Sequence, residues 1–418
     1  MEKELFRAII AENQEYIGRI PLVQRPLDLE EYGNYVFVGV RQAGKSYLLY
    51  QRIQQLLANG VEIENIVYVN FDDERLQGMS VTDLDLILQA YHSMYDSQPI
   101  FFFDEIQNVE GWANFARRLA NQKYRIYITG SNAKMLSRDI ETVLGGRYLD
   151  ISVFPYSFSE YLKAVGVLLS KNWQYGRKAN ELQRHFRTYF DWGGFPELVH
   201  FQEKRVWLNS LYNRIFFNDL VVRHKIKNED ALRLCVRRLA ESVKQPCSLN
   251  RLSNLIKATG TPCSPSTVME YVRYLQESCL LISIDNYVSK FVEKETIKKH
   301  YFVDNGLLHL FINNPNTSLL ENLCAITLYK KYGKGLYYYN KNIEVDFYVP
   351  DEGLAVQASY QMSDGETIER EVKALVALHG LYPLKRAMII TYEDEGEIVR
   401  DGLRIEIKPA WKWVLEGL

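Results

Sequence analysis

Tyr35-Val-Phe-Val-Gly39-Val-Arg-Gln-Ala-Gly44-Lys45-Ser46-Tyr-Leu-Leu49 joins a short apolar run to a second apolar run at helical spacing, through Gly39-x-x-x-x-Gly44-Lys45-Ser46. A strand, a glycine-bearing loop and a helix in that order are the setting in which this pattern cradles phosphate. Glycines let the backbone wrap closely around an anion, and successive N–H groups then point inward. The helix starting near Gly44 turns its positive end on the same anion. The sequence therefore predicts a nucleotide site over Gly39, Val40, Arg41, Gln42, Ala43, Gly44, Lys45, Ser46 and Tyr47, with ATP as the nucleotide. Lys45 is expected on the β- and γ-phosphates, and the Ser46 hydroxyl on Mg²⁺.

A second stretch supports the first. Pro99-Ile-Phe-Phe-Phe103-Asp104-Glu105 is an apolar run ending in two carboxylates. Such a run fits a strand buried on both faces of a parallel sheet. Asp104 is then expected to hold Mg²⁺, usually through water, and Glu105 to take a proton from the attacking water.

Composition sets the frame. The chain has 418 residues, 47% hydrophobic and 24% charged, which is ordinary globular material and enough for two to four domains. Its net charge of −2 provides no global field for nucleic acid or membrane. Five scattered cysteines (Cys235, Cys247, Cys263, Cys279, Cys324) with no C-x-x-C pair argue against a disulfide framework or structural zinc. They suit a reducing cytoplasm, the expected location. The start, Met1-Glu-Lys-Glu-Leu-Phe-Arg, lacks a leader's apolar core, and no window of about 18 apolar residues predicts a membrane helix.

Along the chain, residues 1–18 read as an amphipathic helix with Leu5, Ile9 and Ile10 on one face. Arg25, just before the first core strand, is expected in a surface salt bridge or near the nucleotide base. Residues 47–59 continue the helix after the loop, closed by Gly60. Ile66-Val-Tyr-Val-Asn70-Phe71 is a strand followed by Asp72-Asp73-Glu74, acids that fit a solvated loop better than a metal site. Helices are expected over 84–95 and 112–119. Arg125-Ile-Tyr-Ile-Thr129-Gly-Ser131-Asn132 is a further strand with small polar residues at its end. Alternating strands and helices imply parallel βαβ units with the ligand at the strands' carboxyl ends. Thr129, Ser131 or Asn132 would then face the γ-phosphate or its water, Ser131 being favoured and Asn132 next. Gly145-Gly146-Arg147 suits an arginine finger, in cis or in trans, at the nucleotide-facing end of the sheet; a helix C-cap with a surface arginine accounts for the same residues.

The phosphate loop, the run ending Asp104-Glu105, Ile128-Thr-Gly-Ser131, Gly146-Arg147, Phe154-Pro-Tyr-Ser-Phe-Ser-Glu160-Tyr161 and Asp191-Trp-Gly193-Gly194-Phe195-Pro196-Glu197 together resemble the bacterial and archaeal AAA+-type ATPases that carry a C-terminal domain of unknown function. The resemblance covers nearly the whole chain. It implies an α/β P-loop NTPase core with a parallel sheet over 1–155, a helical lid over 156–225, a winged-helix-like domain over 226–290, and a degenerate restriction-endonuclease-like α/β domain over 291–418. It also adds weight to Arg147 acting from a neighbouring subunit of a homo-oligomer.

The residues read the same way. Helical patterns over 231–243, 249–258 and 268–277 precede Leu280-Leu-Ile-Ser-Ile284, beside which Tyr301-Phe302-Val303 could return as a hairpin. Residues 222–257 hold nine Lys/Arg (Arg223, Lys225, Lys227, Arg233, Arg237, Arg238, Lys244, Arg251, Lys257) against three acids. That surplus could contact DNA phosphates. The third helix, where base reading would occur, offers only Arg273 beside Glu270 and Glu277, which is poor equipment. DNA through this region is one reading; an unidentified protein partner or a structural role is the other. Farther on, Asp346 and Gln357 occupy successive strands in the manner of a metal nuclease, with Ser359 where lysine is wanted and Lys373 as a distant substitute. Without that lysine the site is impaired, and a retired scaffold is the expectation.

The sequence thus predicts a cytoplasmic, Mg²⁺-dependent ATPase whose hydrolysis is coupled to rearrangement of its C-terminal domains. Its catalytic residues would be Glu105, Lys45, Ser131 and Arg147, and its metal ligands Ser46 and Asp104. A slow nucleotide-dependent switch or scaffold is the alternative, and an ATP-driven nuclease the lesser one.

Overall fold

Continuous apolar runs make strands buried on both faces. In the computed structural model, which describes residues 1–132, 142–362 and 365–417, they assemble as a parallel sheet. The strands are β1 (Tyr35–Gly39), β2 (Ile66–Asn70), β3 (Ile100–Asp104), β4 (Arg125–Gly130) and β5 (Leu149–Val153), in the order β2-β3-β4-β1-β5. Phe101, Phe102 and Phe103 are all fully buried, and Phe102 stacks on Tyr127 with centroids 4.8 Å apart. Burial of each phenylalanine contributes about 1.5–3 kcal/mol. Helices α1 (Lys3–Tyr16), α2 (Lys45–Ala58), α3 (Leu84–His92) and α4 (Trp112–Asn121) cover the sheet. The buried face of α1 is Phe6, Ile9 and Ile10. Leu5, expected there, is only half-buried, because the stripe is rotated by one residue.

The sequence reading did not foresee β5. Leu149-Asp-Ile-Ser-Val153 is an edge strand exposed over most of its length, so it lacks the apolar continuity of β1 and β3. Its place beside β1, with Gly39 opposite Val153, nevertheless shapes the phosphate loop.

These elements belong to the first of two compact units, Met1–Phe154; the second is Pro155–Leu418. The second opens with α5 (Phe158–Ala164), started by a Ser157–Glu160 capping box, and α6 (Gly176–Trp192). After α6 the Gly193-Gly194 pair wraps onto Asp304. The Gly194 N–H donates to its carboxylate at 2.8 Å, and a Cβ on Gly193 would fall 1.9 Å from the same group. Gly193 is therefore explained by close approach to a buried acid, and Gly194 by the Tyr156 carbonyl, 2.2 Å from where its Cβ would fall. Next come α7 (Lys204–Arg214), continued by π-helical Ile215–Val222, then α8 (Glu229–Glu241), α9 (Leu249–Lys257) and α10 (Pro265–Glu277). Ser248 and Ser264 cap α9 and α10 through their side chains.

One mixed sheet runs through this unit. Its strands are β6 (Cys247–Ser248), β7 (Leu281–Asn286), β8 (Ile297–Phe302), β9 (Tyr337–Asn340), β10 (Glu344–Val349), β11 (Leu354–Ala358), β12 (Arg386–Thr391), β13 (Gly396–Arg400) and β14 (Leu403–Pro409). The order is β13-β14-β12-β11-β10-β9-β7-β8-β6. Strands β7 and β8 form the antiparallel hairpin, and β7 also pairs in parallel with β9 through Asp285 and Asn286. The boundary expected at 290 therefore falls between two paired strands of a continuous ladder, and the three segments expected as separate domains share one unit. Helix α11 (Phe291–Thr296) links β7 to β8, and α12 (Asn305–His309), α13 (Asn316–Tyr332), α14 (Gly365–Leu381) and α15 (Ala410–Glu416) complete the unit. No described helix is long and apolar enough to cross a membrane.

Candidate nucleotide site and the C-terminal charge cluster

The loop between β1 and α2 owes its shape to a few backbone demands. A Cβ on Gly39 would fall 2.0 Å from the Val153 carbonyl of β5, so the close packing of that edge strand requires glycine. Gln42 and Gly44 have φ of +61° and +93°. This left-handed backbone is natural for glycine and strained for glutamine. Arg25 braces the turn, its Nη1 donating to the Ala43 carbonyl at 3.1 Å and its Nη2 to Phe154 O at 2.9 Å. It is thus a support of the loop rather than only a surface charge. Gly44 precedes the first turn of α2, and no side chain of the described residues caps it. Its N–H groups are left to an anion.

Two strand ends meet this loop. Lys45, 4% exposed, places Nζ 3.2 Å from the carbonyls of Gly39 and Val40 and 3.4 Å from Glu105 Oε1. Burial disfavours charge on Glu105, but Lys45, hydrogen bonds from Gln107 and Ser131, and nearby Arg41 outweigh it, so its carboxyl titrates below the ordinary range. Asp104 shifts upward, driven by its burial and then by Glu105; hydrogen bonds from Ser46, Thr129 and Tyr68 act against the shift. Tyr68 donates to Asp104 Oδ2 at 2.7 Å and also contacts Tyr50 at 3.1 Å. Thr129 Oγ1 donates to Asp104 Oδ1 and accepts the Glu105 N–H at 2.9 Å. Glu105 has φ +53°, a non-glycine residue turned by this packing. Its Oε2 accepts from Ser131 Oγ at 3.0 Å and from Gln107 Nε2 at 2.5 Å.

Comparison with known proteins agrees with this geometry. The AAA domain family matches residues 32–162, and a domain of unknown function (DUF8612) matches residues 183–318. An uncharacterized protein of Methanocaldococcus jannaschii is 31% identical over 434 residues, covering 99% of this chain and 96% of that protein. An uncharacterized protein of Haemophilus influenzae is 30% identical over 394 residues, covering 91% of this chain and 94% of its own length. The chain belongs to this family of AAA-type P-loop ATPases. Among solved structures, a Walker-type ATPase of Pyrococcus abyssi is similar over 74% of this chain and 95% of its own, at 13% identity and a TM-score of 0.43.

Within this AAA-type ATPase the expected residues are not all gathered. Lys45, Ser46, Asp104, Glu105 and Ser131 converge. Ser131 is 1% exposed and turned onto Glu105, and Asn132 beside it is half-buried. Thr129, the least favoured of the three small residues, instead ties the two carboxylates together. Tyr68 was not foreseen; a polar ring within a buried strand, one strand over from Asp104, was its only signal. Asp72 and Asp73 engage Asn108 and Arg75, as a surface loop does.

Arg147 requires a correction. Its carbonyl accepts from Asn34 Nδ2 at 3.4 Å, and Leu149 lies opposite Tyr35. Arg147 is therefore at the amino end of β1, whereas the phosphate loop leaves the carboxyl end, five strand residues or about 16 Å away. The cis arrangement fails on this distance, because a parallel strand entering beside β1 must start at the far edge.

The C-terminal candidates form a different kind of cluster. Asp346 on β10 and Gln357 on β11 are neighbours, but the Gln357 amide is used by backbone, accepting from Asp346 N at 2.7 Å and donating to Glu344 O at 3.1 Å. Lys373 is exposed on α14. Lys299 of β8, which sequence order hid, is wholly buried, with Nζ 3.0 Å from Asp346 and 3.2 Å from both Glu321 and Glu344. Burial opposes its charge, but the three carboxylates dominate and raise its pKa. Glu321 is driven upward by burial and by Asp346. The described residues include no group of three or more His, Cys, Asp or Glu placed to hold a metal.

Proposed function

We propose that the chain hydrolyses ATP in a Mg²⁺-dependent reaction and that turnover rearranges its C-terminal unit. The observation that carries this reading is the convergence of Lys45, Glu105 and Asp104 on the carboxyl ends of β1 and β3. The loop N–H groups and the start of α2 bind the phosphates, and Lys45 neutralises charge on the transferring group. Ser46 and Asp104 are hard oxygen donors within hydrogen-bond reach of each other, a set suited to Mg²⁺. A bound Mg²⁺ would supply charge neutralisation at the phosphate oxygens. Glu105, kept ionised by Lys45, orients and deprotonates the attacking water, and Ser131 and Gln107 hold it in position. Arg147 is assigned to the γ-phosphate of a neighbouring subunit, since its own site lies out of reach.

For DNA through α8–α10, part of the basic surplus is engaged within the unit. Arg233 lies over the Phe216 ring at 4.0 Å, Arg223 pairs with Asp219, Arg238 with Glu241, and Arg273 with Glu277. Of the nine basic residues, Arg223, Arg237 and Arg238 are paired with two acids and Arg233 is held over a ring, which weakens the case for phosphate contact by these four and favours a structural or protein-contact role. A nuclease reading is not supported, because Lys299 fills the carboxylate cluster. The decisive experiment measures ATP affinity and turnover for the parent, Lys45→Ala and Glu105→Gln. Equal turnover in all three excludes this site.

A further inference from the structure

We propose that a groove of the second unit, between α6 and the carboxyl ends of β11 and β12, binds single-stranded nucleic acid. The groove encloses about 870 Å³. One side of it is α6, whose buried Ala179, Leu182 and Phe186 anchor the helix and whose Phe190 also lines the groove. The opposite side of the helix presents Arg177, Asn180, Arg184 and Arg187 to the groove, three and four residues apart, so that they form one stripe. Among the described residues, none of these three guanidinium groups has an ion pair or side-chain hydrogen bond. The rise of a helix spaces them roughly 10 Å and 5 Å apart along the axis.

Tyr360, which follows β11, and Tyr392, which follows β12, line the same groove and pack against Phe190 of α6. Their rings stack with centroids 4.9 Å apart at 21°, and Tyr392 N donates to Tyr360 O at 3.2 Å. Strands β11, β12 and β14 are parallel here, and the carboxyl end of such strands is where α/β sheets receive ligands. A row of cations sharing a groove with a partly exposed aromatic pair recognises a chain of phosphates carrying flat rings, which is how single strands are bound. A duplex keeps its ring faces stacked inside, away from the tyrosines. Asp191 and Glu393 also line the groove. They repel any anion placed against them, so phosphates follow the arginine stripe and the two carboxylates are left to accept hydrogen bonds from exocyclic amino groups of bases. The lining of the groove shares no residue with the phosphate loop or with α8–α10, and its reading depends on neither.

The test is fluorescence anisotropy of the intact chain with a labelled 12-nucleotide single strand of mixed sequence, as DNA and as RNA, over a range of salt. Binding should weaken linearly in log salt. Arg184→Ala with Arg187→Ala should weaken it and reduce the slope by about 1.4, the release of two single-strand phosphate contacts. Tyr360→Leu, which keeps bulk in the packed pair, should weaken binding about tenfold at unchanged slope. Arg251→Ala on α9 should leave binding as it was. Thermal unfolding of each variant separates lost contacts from lost fold; Arg184 and Arg187 are exposed, so the double variant should melt like the parent. No binding by the parent, binding unaffected in the folded double variant, duplex binding as tight as single strand, complete displacement by polyglutamate or by a mononucleotide, or a loss with Arg251→Ala equal to that of the double variant would each overturn the assignment.

Discussion

Lys45 Nζ lies 3.4 Å from Glu105 Oε1, so the cation of the phosphate loop and the carboxylate at the end of β3 face each other directly. A γ-phosphate entering between them competes for Lys45 and leaves Glu105 to act on water. Lys45→Ala should therefore lose tight ATP binding. Glu105→Gln should bind ATP and lose turnover by about 10²–10⁴-fold, the range of general-base contributions. Equilibrium binding and phosphate release separate the two; parental turnover in Glu105→Gln removes it from the mechanism.

Thr129 should act as a positioning residue. Thr129→Val keeps shape but leaves the Glu105 N–H and Asp104 Oδ1 without their hydroxyl partner, at a cost of about 1–3 kcal/mol. Turnover should fall with little change in ATP affinity, and Thr129→Ser should restore it. A variant with lowered stability and intact turnover would mark Thr129 as structural only.

Arg147→Ala should bind ATP almost normally and hydrolyse it about 10³-fold more slowly if the arginine serves a neighbour. Mixed with Lys45→Ala protein, it should recover activity in a demonstrated mixed oligomer, where Lys45→Ala subunits donate Arg147 to intact loops. Absence of recovery there defeats the trans assignment.

Lys299→Met should destabilise the second unit by about 3–5 kcal/mol, the usual effect of leaving buried carboxylates uncompensated. Denaturant unfolding measures it, and adding Glu321→Gln should return part of the loss. The parent should not cut DNA with Mg²⁺ or Mn²⁺, with or without ATP; cleavage that disappears in Asp346→Ala would reinstate the nuclease.

Asp304 predicts a pH effect. Burial raises its carboxyl to about 6, against the pull of the Gly194, Gly306 and Leu307 N–H groups. The folded state thus holds this proton more tightly than the unfolded chain, whose carboxyl titrates near its ordinary value. Stability from this group is complete below about pH 4 and is lost as pH rises through about 6, by roughly 3 kcal/mol. Asp304→Asn cannot ionise, so its stability deficit relative to the parent should shrink over that window. A constant difference from pH 4 to 7 would contradict the assignment.

The phosphate loop and Asp104-Glu105 were legible because each is contiguous, and its chemistry is fixed by neighbours in the chain. Thr129, Tyr68 and Lys299 were not, since their roles arise from strand register: Tyr68 meets Asp104 through β2–β3 pairing, and Lys299 reaches Asp346 across 47 residues of sequence. Arg147 shows the opposite failure. Its Gly-Gly setting is local and readable, but which end of the sheet it occupies depended on β5, an edge strand without an apolar signature.

The β7–β9 pairing fixes how this half of the protein can be taken apart. A gene fragment ending at residue 290 would strip both β8 and β9 from β7, and β8 from β6, leaving bare strand edges that invite association with other chains. The helices α8–α10 and the strands that follow are therefore expected to be inherited, expressed and unfolded as one piece, and brief protease treatment should not release residues 226–290 as a stable fragment.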